Sequence, residues 1–234
     1  MLTRTRAKLA QKTKMAIFDK LHIQDALDEV ECRTLEDHMG FRGQWTEHRR
    51  FQLTFARSQG VVPESRFIEI GCGPLTLALP LISYLAPGNY VGIDVRPEVL
   101  NLGWQQIGKA GLADRNPRLL CSRSFGADEL PQSSQADFIW AFSVLYHLTD
   151  ELVHMCFAQV ARRLAPGGSF FANINAQQDE STWLQFPFNR RDPGFYREIA
   201  ARHGLKVTDL GSLESLGFEL NADERLNELL KITV

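Results

Sequence analysis

The segment Arg66-Phe67-Ile68-Glu69-Ile70-Gly71-Cys72-Gly73-Pro74 predicts a buried strand that runs directly into a tight turn. The apolar residues before Gly71 indicate the strand, and the Gly-x-Gly pair of Gly71 and Gly73 indicates the turn. Because glycine has no Cβ, the backbone of such a turn can approach a ligand closely. The segment therefore predicts a ligand-binding turn at the carboxyl end of a strand.

A second apolar strand, Asn89-Tyr90-Val91-Gly92-Ile93, ends in an acid, Asp94, twenty-one positions after Gly73. An acid at the tip of the neighbouring strand can accept hydrogen bonds from two ribose hydroxyls. Together, the glycine turn and Asp94 predict a site for an adenosine-containing cofactor at the open end of a parallel sheet. Taken alone, each feature has a structural alternative, because Gly-x-Gly is a common turn and Asp94 could be a solvated strand end.

Two nucleotide-binding motifs are missing from the sequence. The dinucleotide fingerprint Gly-x-Gly-x-x-Gly needs a third glycine for close packing of the helix on the strand, and this chain has Thr76 at that position. A phosphate-binding Walker A loop needs Lys-Ser or Lys-Thr after a glycine, and no such pair occurs at the required spacing. A nicotinamide-dependent oxidoreductase is therefore a disfavoured alternative.

Three segments resemble the motifs of class I S-adenosylmethionine-dependent methyltransferases, in particular the bacterial small-molecule enzymes. Glu69-Ile70-Gly71-Cys72-Gly73 resembles the first motif, Ala136–Leu148 the fourth strand with its following loop, and Leu164–Ala172 the Pro-Gly-Gly turn with the fifth strand. The resemblance is good over roughly residues 61–180, weaker to about residue 213, and absent from the first 40 residues. It implies S-adenosylmethionine as the methyl donor and S-adenosylhomocysteine as its product.

The alternation of strands and helices predicts an α/β fold, a doubly wound, mostly parallel seven-stranded sheet with helices on both faces. We expect residues 1–60 to form an N-terminal helical cap and residues 61–234 to form the methyltransferase domain, with an irregular active-site insertion at residues 175–194. Pro80 implies that the helix after Gly73 either starts late or is kinked. The expected strands lie near residues 66–70, 90–94, 118–122, 137–142, 169–174, 205–210 and 229–234.

The resemblance implies cofactor contacts just past each of the first four strands. In the family, an acid two residues before the first glycine braces the turn and the cofactor's amino acid end, a role that falls to Glu69. Many relatives carry Asp where this chain has Phe125 or Gly126, so the adenine amino group would meet backbone atoms instead. The implied cofactor-binding residues are Glu69, Gly71, Cys72, Gly73, Asp94, Val95, Phe125, Gly126, Ala141 and Phe142.

The segment Phe41-Arg42-Gly43-Gln44-Trp45 resembles the segment that closes over the cofactor in bacterial relatives. The resemblance implies that Arg42, or Arg49 further along, pairs with the cofactor's carboxylate and that Trp45 forms a wall of the pocket. The alternative is an ordinary amphipathic helix with exposed charges.

His147 and Tyr146, in the loop after the fourth strand, are the candidate catalytic residues. The ordinary histidine pKa of about 6.5 suits removal of a proton at neutral pH, and a tyrosine can orient a substrate hydroxyl. The structural alternative for His147 is a hydrogen bond to a loop carbonyl. Several aromatic residues nearby either line an apolar acceptor pocket or belong to the core, namely Trp183, Phe186, Phe188, Phe195 and Tyr196.

Composition narrows the range of partners. The net charge is −2, so neither nucleic acid nor an anionic membrane surface is an expected partner. No apolar run approaches the length of a membrane span. The four cysteines are scattered, which indicates neither a zinc site nor a disulfide framework and favours a reducing cytoplasm. Asn173 and Asn175 offer no carboxylate at the end of the fifth strand, so no metal site is predicted.

These observations predict methyl transfer to a small-molecule acceptor by in-line displacement, with a hydroxyl oxygen favoured as the acceptor atom. The alternatives are N- or C-methylation of a metabolite, and a non-catalytic binding or scaffold protein with the same fold. The sequence leaves the oligomeric state open, with a homodimer as one alternative.

Overall fold

The computed structural model describes residues 35–38, 43–219 and 223–234. Its strands are β1 (Phe67–Ile70), β2 (Tyr90–Asp94), β3 (Arg118–Cys121), β4 (Ala136–Ala141), β5 (Leu164–Ile174), β6 (Ser181–Trp183), β7 (Phe186–Phe188), β8 (Lys206–Ser212) and β9 (Glu228–Thr233). Seven of them form one sheet in the order β3-β2-β1-β4-β5-β9-β8, and β6 pairs only with β7.

The strands β3, β2, β1, β4 and β5 run parallel, whereas β9 is antiparallel to both of its neighbours, β5 and β8. Phe67 of β1 pairs with Tyr90 of β2 on one side and Phe138 of β4 on the other. The carboxyl ends of these three strands consequently meet at one edge of the sheet. Open α/β sheets bind ligands at that edge.

The helices are α1 (Trp45–Ser58), α2 (Ala78–Tyr84), α3 (Pro97–Lys109), α4 (Asp150–Arg163) and α5 (Pro193–Arg202). The side chain of Thr149 accepts a hydrogen bond from the N–H of Leu152 and caps α4. Pro80 lies in the first turn of α2, where the missing N–H costs no interior helical bond. The helix after the glycine turn therefore starts late and is not kinked by this proline.

An apolar layer covers each face of the sheet, because successive strand residues point to opposite sides. On one face, Phe67 and Trp140 pack with Phe55 of α1. On the other face, Ile68 packs with Phe157 of α4. Both layers of the predicted doubly wound fold are thus present, and the fold class is confirmed.

Residues 175–194 differ from the irregular insertion that the sequence predicts. Part of this stretch forms the β6–β7 hairpin, in which Ser181 pairs with Phe188 and Thr182 with Pro187. Proline lacks a backbone N–H and disfavours a strand. Because of Pro187, the sequence does not predict this hairpin. Much of the expected cap (residues 1–60) lies outside the described residues, and its status as a separate unit stays a prediction.

Candidate cofactor and acceptor site

A cleft of about 990 Å³ opens at the carboxyl ends of the parallel strands. Its lining includes the glycine turn after β1, the tip of β2, the loop after β4 and the β6–β7 hairpin. Residues Gly71, Asp94, Phe142 and His147 all line it. The sheet topology thus gathers predicted site residues from four separate parts of the chain into one cleft.

The turn after β1 has a conformation that requires glycine. Gly71 has φ +71° and Gly73 has φ +53°, in the region that residues with a Cβ rarely adopt. A Cβ added to Gly71 would lie 2.4 Å from the Cγ2 atom of Val144. The backbone of the turn is therefore in direct contact with the loop after β4.

Asp94 fastens this turn to the tip of β2. The N–H of Gly73 donates to Asp94 Oδ2 over 3.0 Å, and the N–H of Arg96 donates to Oδ1 over 3.0 Å. Arg96 Nε also donates to Oδ1, over 3.4 Å. A carboxylate has about four lone-pair sites, so Asp94 retains capacity for about one hydroxyl donor from a ligand in the cleft. The arrangement suits a ribose.

Glu69 lies beneath the turn and does not line the cleft. The hydroxyl of Tyr90 donates to its Oε2 atom over 2.7 Å, and the side chain is only 4% exposed. Burial raises the pKa of Glu69 to about 8, so the carboxyl is mostly protonated at neutral pH. Burial also raises the pKa of the Cys72 thiol well above its usual range, and this small side chain packs in the core.

The predicted adenine side of the cleft is lined by Val95 and Phe125. Gly126 and Ala141, also predicted to contact the cofactor, are not among the lining residues. The N–H of Gly126 donates to Ser122 Oγ over 3.0 Å, and Ser122 lines the cleft in its place. Gly126 therefore lies outside the cleft lining and supports the loop after β3.

Trp45 and Arg49, two of the residues expected to close over the cofactor, do not line the cleft. Arg42 is outside the described residues. Trp45 is buried at 2% exposure and lies behind the cleft, under the Arg49 guanidinium, 5.1 Å from the ring centroid. Arg49 Nε donates to the Thr76 carbonyl over 2.8 Å, so Arg49 supports the turn that leads into α2. The neighbour of Trp45 that does line the cleft is Gln44.

The start of α1 is held by a distant carboxylate. Glu36 accepts hydrogen bonds from the backbone N–H groups of Gly43, Gln44 and Trp45, at 2.7, 2.8 and 2.8 Å. These include N–H groups that a helix start leaves unpaired. The short segment of residues 35–38 is thereby tied to the helix whose first residues border the cleft.

The same segment also contacts the tip of β2. Arg96 Nη1 donates to the His38 carbonyl over 2.8 Å, while the backbone and Nε of Arg96 face Asp94. One arginine thus contacts both the strand tip and the N-terminal segment.

His147 lies in the short 3-10 helix Leu145–His147 and lines the cleft. Its Nδ1 atom is 2.7 Å from the carbonyl oxygen of Pro187. A carbonyl oxygen can only accept, so Nδ1 carries a proton and Nε2 of the neutral ring carries a lone pair. Burial lowers the pKa of His147, and this favours the neutral ring near pH 7.

Tyr146 also lines the cleft, but most of its side chain is buried. Burial raises its pKa well above the usual range, so the phenol stays protonated at neutral pH. Its ring packs on those of His147 and Phe188, with centroids 4.6 and 4.7 Å away. Tyr146 is therefore a hydrogen-bonding group and an apolar wall, not a base.

The model of the "Methyltransferase domain" family matches residues 68–170. The structure of magnesium protoporphyrin IX methyltransferase from Synechocystis PCC 6803 with bound S-adenosylmethionine superposes with a TM-score of 0.60, at 13% identity, over 89% of this chain and 98% of that one.

The chain has the fold of the class I S-adenosylmethionine-dependent methyltransferases.

Two further structures share this fold. A methyltransferase from Clostridium acetobutylicum matches with a TM-score of 0.59 at 14% identity, over 95% of this chain and 98% of the other. The glycopeptide N-methyltransferase with S-adenosylhomocysteine matches with a TM-score of 0.60 at 17% identity, over 81% of this chain and 89% of the other. No curated protein sequence matches the chain. At such identities the structural likeness establishes the fold and leaves the acceptor open.

The sequence does not predict the polar cluster that borders the cleft. The Ser143 hydroxyl donates to Glu224 Oε1, and His48 Nε2 lies 3.1 Å from Glu224 Oε2. Asn173 Oδ1 accepts a hydrogen bond from the N–H of Ser143. These residues come from β5, α1, the loop after β4 and the 3-10 helix Asp223–Leu226, so no local motif could reveal them.

Glu224 carries a negative charge at the cleft. Burial raises the pKa of its carboxyl, but the charge and hydrogen bond of His48 and the hydrogen bond of Ser143 outweigh burial, and the net pKa is lowered. Glu224 lines the cleft with 18% of its side chain exposed, whereas the His48 side chain is 2% exposed. The carboxylate therefore faces the cleft and the imidazole lies behind it.

Half-buried aromatic rings form the far wall of the cleft. Trp183 and Phe186 of the hairpin lie 5.4 and 6.3 Å from the His147 ring. Phe195 and Tyr196, the other aromatic candidates, do not line the cleft, and Tyr196 is fully buried beside Phe157. Trp183 and Phe186 therefore line the cleft, whereas Tyr196 belongs to the core.

No helix in the described part of the chain is both long enough and apolar enough to cross a membrane. Within the same residues, no group of three or more His, Cys, Asp or Glu side chains is placed to hold a metal ion.

Proposed function

We propose that this methyltransferase transfers a methyl group to a hydroxyl oxygen of a small-molecule acceptor. The observation that carries the proposal is the hydrogen bond from His147 Nδ1 to the Pro187 carbonyl. It leaves Nε2 as a proton acceptor in the cleft. A hydroxyl is a weak nucleophile until its proton is removed, so a placed base matches this class of acceptor.

The cofactor's binding residues follow from the cleft. The glycine turn at Gly71 and Gly73 allows close approach of the backbone, Asp94 accepts from the ribose hydroxyls, and Val95 and Phe125 enclose the adenine. The opposite side of the cleft, toward Phe142, receives the sulfonium and the amino acid end. When bound, S-adenosylmethionine supplies a methyl group on an excellent leaving group, so the chain's task is alignment and proton removal.

The acceptor enters between His147 and the β6–β7 hairpin. The half-buried rings of Trp183, Phe186 and Phe188 favour an acceptor with an apolar or aromatic body. Tyr146 keeps its proton and donates a hydrogen bond that orients the acceptor oxygen. His147 would then accept the hydroxyl proton at Nε2, which would make the acceptor oxygen a stronger nucleophile toward the methyl group that the bound cofactor supplies.

We also propose a reducing compartment for the enzyme and a cap formed by its N-terminal residues. The three described cysteines, Cys72, Cys121 and Cys156, are free, which supports a reducing compartment such as the cytoplasm. The contact between Arg96 and the His38 carbonyl supports a cap formed by the N-terminal residues over the cofactor.

The first test is calorimetric titration with S-adenosylhomocysteine, using NAD as the control ligand. We expect micromolar binding of the first and none of the second. Binding of NAD, or of neither ligand, would contradict the proposed site.

The second test offers the loaded enzyme matched acceptors that differ only in the reacting atom, namely phenol with aniline and cyclohexanol with cyclohexylamine. Methylation is followed by the S-adenosylhomocysteine formed and by the mass of the product. Faster methylation of the hydroxyl member supports the proposal. Preference for the amine would replace the oxygen acceptor with nitrogen.

A further inference from the structure

We propose that the Glu224 carboxylate recognises the positive charge of the methyl donor, so that the cleft favours S-adenosylmethionine over its uncharged-sulfur product, S-adenosylhomocysteine. The inference rests on the cofactor pose proposed above. It assigns a role to a charged residue that neither the sequence motifs nor the proposed methyl transfer uses.

Glu224 is linked to the glycine turn through the loop after β4. Gly71 contacts Val144, since a Cβ on Gly71 would meet the Val144 side chain at 2.4 Å. Ser143, the preceding residue, donates its hydroxyl hydrogen bond to Glu224. The carboxylate is thus connected through two adjacent residues to the glycine turn that approaches the cofactor.

The residues along the cleft indicate the direction in which the bound cofactor would lie. Asp94 and Phe125 mark the adenosine side, at the tip of β2 and the loop after β3. Ser143 and Glu224 line the same cleft beyond the end of β4. A cofactor whose ribose is held at Asp94 and whose chain passes Gly71 carries its sulfur toward Ser143 and Glu224.

The charge that Glu224 presents to the cleft is negative. The His48 imidazole is buried behind the carboxylate, so the negative end of the pair faces the cleft. Arg96, the cation that lines the cleft near the strand tip, is already paired with Asp94 at 3.4 Å. The carboxylate of Glu224 is therefore the negative group that contacts Ser143, at the end of the cleft where the sulfonium would lie. The lining also includes Asp94, which is paired with Arg96, and Asp179, an exposed residue of the segment between β5 and β6.

The charge on the cofactor's sulfur changes when the methyl group leaves. Methyl transfer converts the sulfonium into a neutral sulfide, while the cofactor's ammonium and carboxylate groups stay the same. A carboxylate near sulfur loses an attractive partner at that moment. The product is then held less tightly than the substrate, which limits product inhibition.

The test compares two stable ligands by calorimetry. Sinefungin carries a protonated amine near the position of the sulfonium, and S-adenosylhomocysteine has a neutral sulfide there. The wild-type chain should bind sinefungin the more tightly. Glu224→Gln should reduce this preference about tenfold, the effect of a unit charge several ångströms away at an intermediate dielectric constant, with the affinity for S-adenosylhomocysteine nearly unchanged.

Glu219→Gln is the matched control, because it removes the same charge from an exposed side chain (77% exposed) that does not line the cleft. It should keep the wild-type preference. Retained binding of S-adenosylhomocysteine by Glu224→Gln shows that the variant is folded. If that variant does not fold, the wild-type preference alone still tests the idea.

Four results would overturn the inference. These are no preference for sinefungin in the wild type, equal weakening of both ligands in Glu224→Gln, an unchanged preference in that variant, and an equal loss of preference in Glu219→Gln. Failure of the wild type to bind either ligand is a different result, since it would remove the proposed cofactor site itself.

Discussion

The backbone N–H of Gly73 donates to the Oδ2 atom of Asp94 over 3.0 Å, so the acid that ends β2 also holds the glycine turn that follows β1. Asp94 is 6% exposed, and its other oxygen accepts from the N–H of Arg96. One side chain thereby fixes the glycine turn at the edge of the cleft, and in the proposed cofactor pose it also accepts from the ribose.

Asp94→Asn should weaken binding of S-adenosylhomocysteine by about tenfold or more, because hydrogen bonds to a charged group contribute about 1.5–3 kcal/mol. Calorimetric titration measures the change. Asp114→Asn, an exposed acid remote from the cleft lining, serves as the control and should bind as the wild type does. Unchanged affinity in Asp94→Asn would show that Asp94 has only a structural role.

Gly71→Ala should destabilise the fold and abolish cofactor binding. The substitution combines a strained φ of +71° with a contact of 2.4 Å to Val144, and each effect costs about 1–3 kcal/mol. Gly111→Ala is a matched control, because Gly111 has φ +66° and nothing lies within 4 Å of its added Cβ. Thermal melting should show a larger loss at Gly71. Equal losses would mean that Val144 moves aside at little cost.

Glu69→Gln should change how stability depends on pH. Burial raises the folded-state pKa of Glu69 to about 8, above its unfolded value of about 4.3. The folded state therefore retains this proton while the unfolded state loses it, and the wild type loses stability as the pH rises from about 5 to 8. Chemical denaturation at both pH values should show the variant gaining on the wild type at pH 8.

Tyr90→Phe provides the companion test of this buried pair. The Tyr90 hydroxyl donates to the carboxyl of Glu69 and lowers its pKa, partly opposing the effect of burial. Its removal should steepen the loss of stability toward high pH. A pH dependence identical in all three proteins would mean that Glu69 does not keep its proton in the folded state.

His147→Gln should reduce turnover about 100-fold or more, the usual contribution of a general base, while the affinity for S-adenosylhomocysteine stays within a factor of about two. Because burial lowers the pKa of His147, the wild-type rate should be flat above neutral pH and fall at a pH below about 6.5. The measurement uses whichever hydroxyl acceptor is turned over in the matched-acceptor test. His154→Gln, outside the cleft lining, is the control and should keep both rate and pH profile.

The fold was predictable because its determinants are local in the sequence. The apolar stretch before Gly71, the acid at Asp94 and the N-cap at Thr149 each specify an element boundary by short-range chemistry. Their order along the chain then permits few topologies. The expected strand positions accordingly agree with the sheet of the structure.

The polar cluster of the cleft was not predictable, because long-range packing assembles it. Glu224 and Ser143 are separated by 81 positions, and Glu224 lies outside every segment that resembles a family motif. Ser143 has φ +58°, an unusual conformation for a residue with a side chain, and nothing in the neighbouring residues signals it. Trp45 illustrates the opposite error, since its place in a family-like segment suggested a cleft wall and packing buried it.

The contacts of Arg96 link the cofactor site to the start of the described chain. Its Nη1 atom holds the His38 carbonyl, and its backbone N–H holds Asp94. Any free energy that ligand binding at Asp94 adds to this arrangement must be returned as tighter ligand binding when residues 35–38 are in place. The ordering of residues 35–38 and ligand binding at Asp94 are then linked, so each changes the other by the same free energy.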